Sequence, residues 1–320
     1  MMLTPSPEEN RMPEYPFLPR RWNYFRDVLI RRFGEMVYKV GVDAGFDCPN
    51  RDGNKAFGGC AYCSQQGSLS PHQDPTKGVV EQIEKGIAFV QKRYQVKKYI
   101  VYFQAFTNTY APVKVLRERF EAALCRDDII GLSVATRPDC VTADNIGYLK
   151  ELAERLPYFT VELGLQSAYQ NRLEWVNRQE SVDDYVAAMK LLNEHKIPVI
   201  THVILGFPGE TRQDMEDTVR LADDMGTAGI KLQMLHVIRK TKLAVMYERE
   251  PFKLFDMEEY GNHVIHMLER LRPEVEIHRI TGETSEAELV APKWVRDKTR
   301  FFDWIDRELK SRNTWQGKFH

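Results

Sequence analysis

Cysteine is scarce in this chain: five among 320 residues, an odd number. No basic-then-apolar leader opens the sequence, so the thiols do not read as a secreted disulfide framework. Long apolar runs are missing too. Nothing approaches the ~18 residues of a membrane-crossing helix, which predicts no membrane partner. Excess charge of one sign is absent, with 45 Lys and Arg against 46 Asp and Glu. That excludes a protein basic overall, though not one with a local basic patch. No Gly-x-Gly-x-x-Gly follows the first strand-like run, which disfavours a dinucleotide fold. What remains has the composition of an ordinary globular protein, 43% hydrophobic and 28% charged, and is expected in the cytoplasm.

The few cysteines are concentrated. Cys48, Cys60 and Cys63 stand in one glycine-rich stretch, with eleven residues between the first two and two between the last two. A Cys-x-x-Cys pair puts two thiolates within reach of one metal centre. A third thiolate from an outlying loop gives three ligands and leaves a coordination position open, which suits chemistry. Ordinary iron–sulfur clusters take four Cys, so three would leave one iron able to bind something else. A structural zinc site, with His72 completing a Cys3His set, is the other reading. Cys125 and Cys140 fall outside the cluster and read as buried free thiols.

Residues 22–34 predict a helix, since Trp22, Phe25, Leu29 and Phe33 recur at helical spacing. It is rich in arginine: Arg20, Arg21, Arg26, Arg31 and Arg32. Strand-like runs then recur at 38–45, 98–104, 129–136, 159–166, 199–206 and 229–237, with helical stretches between them. Such alternation predicts βα units on a parallel sheet, a barrel or part of one. In Phe159–Gln166 one face carries Phe159, Val161, Leu163 and Leu165; the other carries Thr160, Glu162, Gly164 and Gln166. The polar face fits the interior of a barrel whose site lies at the C-terminal ends of its strands. After residue 237 the pattern changes: helices are expected at 256–271 and 299–311 and a short strand at 275–280. The expected organisation is a disordered lead over 1–16, a barrel with its basic helix over 17–240, and a closing segment over 241–320.

These features together resemble the radical S-adenosylmethionine (SAM) superfamily. The three-Cys loop after the first strand is joined by Ala135-Thr-Arg-Pro-Asp139, Val161-Glu-Leu-Gly-Leu-Gln-Ser167, Val176-Asn-Arg178 and His202-Val-Ile-Leu-Gly-Phe-Pro-Gly209. With Tyr102–Asn108 and His278–Gly282 they resemble the YhcC/YtqA family, in the Elp3-like branch. The resemblance implies an α/β fold, a partial (β/α)6 barrel with an N-terminal helix and a C-terminal extension. It implies a [4Fe–4S] cluster on Cys48, Cys60 and Cys63, and SAM cleaved to a 5′-deoxyadenosyl radical. Tyr62, Gln104, Glu162, Gln166, Arg178 and His202 take positions that hold SAM in relatives. A satisfied core histidine is the alternative for His202. Implied partners are tRNA and an electron donor such as flavodoxin or ferredoxin. The implied reaction converts a 5-carboxymethylaminomethyl group on the wobble uridine to 5-aminomethyl. Its carboxylate calls for a cationic clamp, from Arg137, Arg279 or Arg178. The basic groups at both ends of the chain are expected to flank the barrel mouth and hold RNA phosphates. Radical chemistry on a small metabolite or peptide is the competing reading, and a zinc-stabilised RNA-binding module is the non-enzymatic one.

Overall fold

The computed structural model describes residues 20–64, 76–282 and 284–320. The lead over 1–16 and His72 lie outside the described residues. In chain order the helices are α1 (Phe25–Phe33), α2 (Val79–Gln91), α3 (Val113–Ala122), α4 (Ala143–Arg155), α5 (Gln170–Trp175), α6 (Val182–Glu194), α7 (Arg212–Asp224), α8 (Lys242–Arg249), α9 (Met257–Leu268) and α10 (Lys298–Ser311). The strands are β1 (Val37–Val42), β2 (Lys98–Phe103), β3 (Ile129–Thr136), β4 (Tyr158–Gln166), β5 (Val199–Leu205), β6 (Gly229–Met234), β7 (Val237–Ile238), β8 (Glu276–Arg279) and β9 (Leu289–Ala291). Helix starts are written in the sequence. Ser181 and Asp184 cap α6 reciprocally, as Thr211 and Asp214 cap α7. The short α5 and α8 were not anticipated, because six to eight residues hold too little periodicity to show.

Seven strands form one parallel sheet in the order β1-β2-β3-β4-β5-β6-β8. The seventh, β8, comes from the C-terminal segment and pairs with β6. The sheet curls into a partial barrel with β1 and β8 at its edges. Its outer face buries Leu132, Val134, Val161, Leu163, Val203 and Leu232 against helix residues such as Leu149, Leu152, Met189 and Val219. Each such side chain contributes about 1.5–3 kcal/mol when fully buried. The inner face carries the alternate residues, and there polar groups replace apolar ones. A small apolar cluster of Leu29, Val37, Ile100 and Tyr158 closes the N-terminal ends of the strands.

This plug corrects the expectation for the arginine-rich helix. α1 lies at the end of the barrel opposite the cysteine loop. Phe25 stacks on His278 with ring centroids 3.8 Å apart, and Arg32 donates to the carbonyl of Pro157, just before β4. Arg20 pairs with Asp306 of α10 at 3.1 Å, and Arg31 donates to Asn23 at 2.7 Å. These arginines tie the chain's ends to the barrel floor. The C-terminal segment does reach the mouth: β9 pairs with β7, directly beyond the C-terminal end of β6.

Candidate active site

The loop after β1 is fastened from inside. Gly59 N–H donates to Asn50 O at 2.7 Å, and Asn50 Nδ2 donates to Asn177 O at 2.6 Å. Asn177 Nδ2 returns a bond to Gly59 O, and Ala61 N–H donates to Val176 O at 2.7 Å. The loop is therefore locked to residues 176–178, and Gly59, at φ +75°, supplies the left-handed turn that brings Cys60 inward. Asn50 Nδ2 lies 3.4 Å and Arg178 Nη1 3.8 Å from Cys60 Sγ, so two donors face that sulfur. Burial, then Cys60, pushes the Cys63 thiol up to about 12, with Cys48 adding to the effect. Neighbouring thiols cannot all ionise in such a site without a cation among them, which is the chemistry of a metal centre. Among the described residues no three His, Cys, Asp or Glu side chains converge tightly enough to form a single-ion site. The three thiols instead line one cavity of about 1130 Å³. That arrangement fits a multi-iron cluster with an open position better than a closed zinc site.

The candidate cluster ligands, SAM-holding residues and clamp arginines named from the sequence all line this same cavity. Arg178, 7% exposed, donates to Glu180 through Nε and to Gly164 O at 3.0 Å through Nη2. Its Nη1 lies 3.3 Å from Tyr62 OH. A Cβ on Gly164 would sit 2.4 Å from Gln166 Nε2 and 2.6 Å from Arg178 Nη2, so only glycine lets these two converge. Gln166 itself holds φ +66°, a left-handed backbone that costs a non-glycine residue about 1–3 kcal/mol. Gln104 directly follows β2 on the same rim. Arg137, expected as a clamp, is buried and engaged: it donates to Asp139 through Nε and Nη2 and to the carbonyls of Arg178 and Gln179. It braces the 178–180 turn. Cys140 is buried, whereas Cys125 is exposed, correcting the expectation that both are buried.

Deeper in the barrel lies a belt of charged side chains. Glu162 is fully buried and accepts four bonds. Lys39 Nζ at 2.9 Å and Ser133 Oγ at 2.8 Å reach Oε1; His202 Nε2 at 2.6 Å and Lys231 Nζ reach Oε2. Lys231 also donates to Tyr102 OH at 3.1 Å. Burial alone would raise the Glu162 carboxyl, but Lys231, Lys39 and His202 outweigh it and hold it well below the usual carboxylate range. Burial and Lys231 pull His202 down to about 4, so its imidazole is neutral and donates to Glu162. Lys39, Tyr102, Ser133 and Lys231 were missed in the sequence. The signal was present, since Lys231 stands between Ile230 and Leu232 in β6 just as Glu162 stands between Val161 and Leu163 in β4.

The lining is strongly cationic. Among the described residues it holds nine Lys or Arg against two Asp or Glu, in a chain whose net charge is −1. At the rim, the tip of the cysteine loop presents Phe57, 76% exposed. Lys242 donates to Phe57 O at 3.2 Å, and Lys55, Arg239 and Lys240 are exposed close by in sequence. No helix of the described residues is long and apolar enough to cross a membrane.

Comparison with known proteins gives concordant matches. The radical SAM superfamily matches residues 50–222, and the radical SAM C-terminal domain residues 227–311. YtqA of Bacillus subtilis is 40% identical over 312 residues, 98% of this chain and 96% of that protein. A tRNA uridine(34) acetyltransferase of Methanocaldococcus infernus is 29% identical over 170 residues, 52% of this chain and 27% of its own length. Among solved structures, Elp3 from the same archaeon, lacking its N-terminus, is similar in fold, with a TM-score of 0.65. The likeness runs over 88% of this chain and 64% of the other at 18% identity.

Proposed function

This chain belongs to the radical SAM superfamily, in the family of YtqA and YhcC, and on that premise we propose that it matures the wobble-uridine side chain of tRNA, from 5-carboxymethylaminomethyl to 5-aminomethyl. The two-carbon arm would leave as glyoxylate, with water supplying the aldehyde oxygen and SAM taking up the two electrons as it becomes methionine and 5′-deoxyadenosine. Cys48, Cys60 and Cys63 would hold a [4Fe–4S] cluster, and Tyr62, Gln104, Gln166 and Arg178 would hold SAM; Glu162 and His202, expected beside them, are bonded to each other deeper in the barrel. When bound and reduced by a flavodoxin- or ferredoxin-like donor, that pair supplies a 5′-deoxyadenosyl radical able to take a hydrogen atom from the substrate methylene. The chain's own part is to aim the substrate at it and exclude water.

The observation that carries the RNA reading is the cationic cavity opening beside an exposed aromatic. Phe57 offers a stacking face, and Arg239, Lys240 and Lys242 offer cations to phosphates, the combination single-stranded nucleic acid uses. An anticodon loop is already unpaired, so presenting its base requires no duplex opening. The partial similarity to a tRNA uridine(34) acetyltransferase supports the same substrate class.

Nucleoside mass spectrometry of tRNA from a deletion strain tests the reading. The 5-carboxymethylaminomethyl nucleoside should accumulate and its 5-aminomethyl product disappear; unchanged wobble uridines would leave radical chemistry on a metabolite or peptide in its place. Replacing Arg239, Lys240 and Lys242 together by Ala should weaken tRNA binding. The slope of log affinity against log salt should fall by about one for each phosphate deprived of its cation. An unaltered slope would remove this rim from the RNA path.

The strained Gln166 gives a separate prediction. Gln166→Gly should raise stability in urea unfolding by about 1 kcal/mol, the lower end of the strain at such a position. It should weaken SAM binding at the same time, through loss of the amide. A variant less stable than the wild type would show that this backbone is not strained.

A further inference from the structure

The belt deep in the barrel is unbalanced in charge. Lys39 and Lys231 meet one carboxylate, Glu162, whose Oε1 and Oε2 are each already doubly occupied. The side chains of Lys39, Lys231 and Glu162 are 16%, 6% and 0% exposed. The next carboxylate among the described residues, Glu276, is 3.1 Å from His278 Nε2 and, after Glu162, helps hold the buried Lys39 ammonium above its usual value, so Lys231 is the less compensated of the two. An ammonium has three donors. Lys231 spends two, on Glu162 and Tyr102 OH. Lys39 spends two on Glu162 and Ser133, and lies 4.8 Å from the centroid of the Phe25 ring. Buried ammonium in excess of carboxylate is costly unless another anion joins it. Burial, with Arg279 and Lys39, accordingly pulls Lys231 down to about 7 despite Glu162.

We propose that Lys231 and Lys39 form an anion seat on the cavity floor, beneath the cysteine loop, which receives the carboxylate of the substrate's side chain. Glu162 is its positioning residue. It fixes both ammoniums while His202 and Ser133 fill its remaining lone pairs. A carboxylate at the end of a slender arm suits the seat, because it reaches the lysines as the anion they lack while the arm's own amine stays outside the seat. The inference rests on the proposed uridine substrate for the arm's identity, and it replaces the arginine clamp expected from the sequence by a lysine pair.

Two probes separate the inference from the reading it rests on. N-methylglycine carries only the –NH2⁺–CH2–COO⁻ arm, and 5-carboxymethylaminomethyluridine carries that arm on its base. Each is compared with its carboxamide, which keeps the ammonium and lacks the carboxylate, and with inorganic phosphate, by calorimetric titration of the full-length holoenzyme. The wild type should prefer each acid over its amide and over phosphate. In Lys231→Met that preference should fall by at least about tenfold, the scale of a charge-assisted hydrogen bond. Lys231→Arg should restore part of it. The melting temperature of Lys231→Met should stay level or rise, because Glu162 keeps Lys39 and His202 as partners and an excess charge has gone. Equal binding of acid and amide by the wild type would overturn the seat. So would a preference that survives in Lys231→Met, or a variant that unfolds. If N-methylglycine shows the preference and the uridine does not, the seat stands and the wobble-uridine reading falls.

Discussion

Cys48→Ala, Cys60→Ala and Cys63→Ala will each abolish SAM cleavage, while Cys125→Ala will leave it intact. Wild-type protein reconstituted without oxygen should be brown and carry about four irons per chain. Each of the three single variants should lose most of that iron. The reason lies in how the loop is held. Cys60 is fixed by Ala61 N–H to Val176 O, by the Asn50–Asn177 bonds, and by two donors facing its sulfur. Cys48 and Cys63 come to the same cavity from the two ends of one loop. With three ligands and one open position there is no spare thiol. Cys140 is buried behind Asp139, and Cys125 is exposed outside this cavity. Iron and visible absorbance report the cluster independently of turnover. Stoichiometric zinc without iron in the anaerobic preparation would overturn the assignment and favour the closed-site reading.

Glu162→Ala should be the most destabilising single change inside the barrel, by about 3–5 kcal/mol, because it strands two buried ammoniums without their carboxylate. Urea unfolding of protein free of cluster, matched to wild type, measures this without any contribution from cofactor binding. A loss below about 1 kcal/mol, the level of an ordinary surface pair, would mean that water or counter-ions already neutralise the belt. The pH dependence has a definite sign. Glu162 is held well below its ordinary value of 4.5. Its contribution is therefore complete above that unfolded value and is lost as pH falls through the lowered folded value. Glu162→Gln removes this component, so its stability should fall less steeply with acid than that of the wild type. An acid profile identical in the two proteins would refute the ionised belt.

Much of the site was legible because it is local in sequence. The Cys-x-x-Cys pair and its outlying partner are neighbours along the chain. Period-two alternation alone put Glu162, Gly164 and Gln166 on one face of β4, and the structure turns that face inward. The same rule applied to β1 and β6 would have added Lys39 and Lys231, but neither residue belonged to a motif that drew attention to its strand. The arginines of α1 were misplaced for a different reason. A helix that precedes the first strand can cover either end of a barrel, and composition is silent on which. Phe25 and Leu29 decide it, by sealing the floor with Val37, Ile100 and Tyr158.

Chain order and side-chain type by themselves determined the βα architecture, the three-cysteine loop after the first strand and the end of the barrel that carries it. Local hydrogen bonding and strand periodicity impose those features on any fold the chain can reach. Only the tertiary structure decided that Arg137 is a brace, that Glu162 belongs to two lysines, and that the exposed cations beside the cysteine loop come from residues 239–242. Those outcomes depend on which strands become neighbours across the curled sheet. Lys39 and Glu162 are 123 positions apart and Lys231 and Glu162 are 69, and no local rule connects charges that meet only when β1, β4 and β6 face one interior.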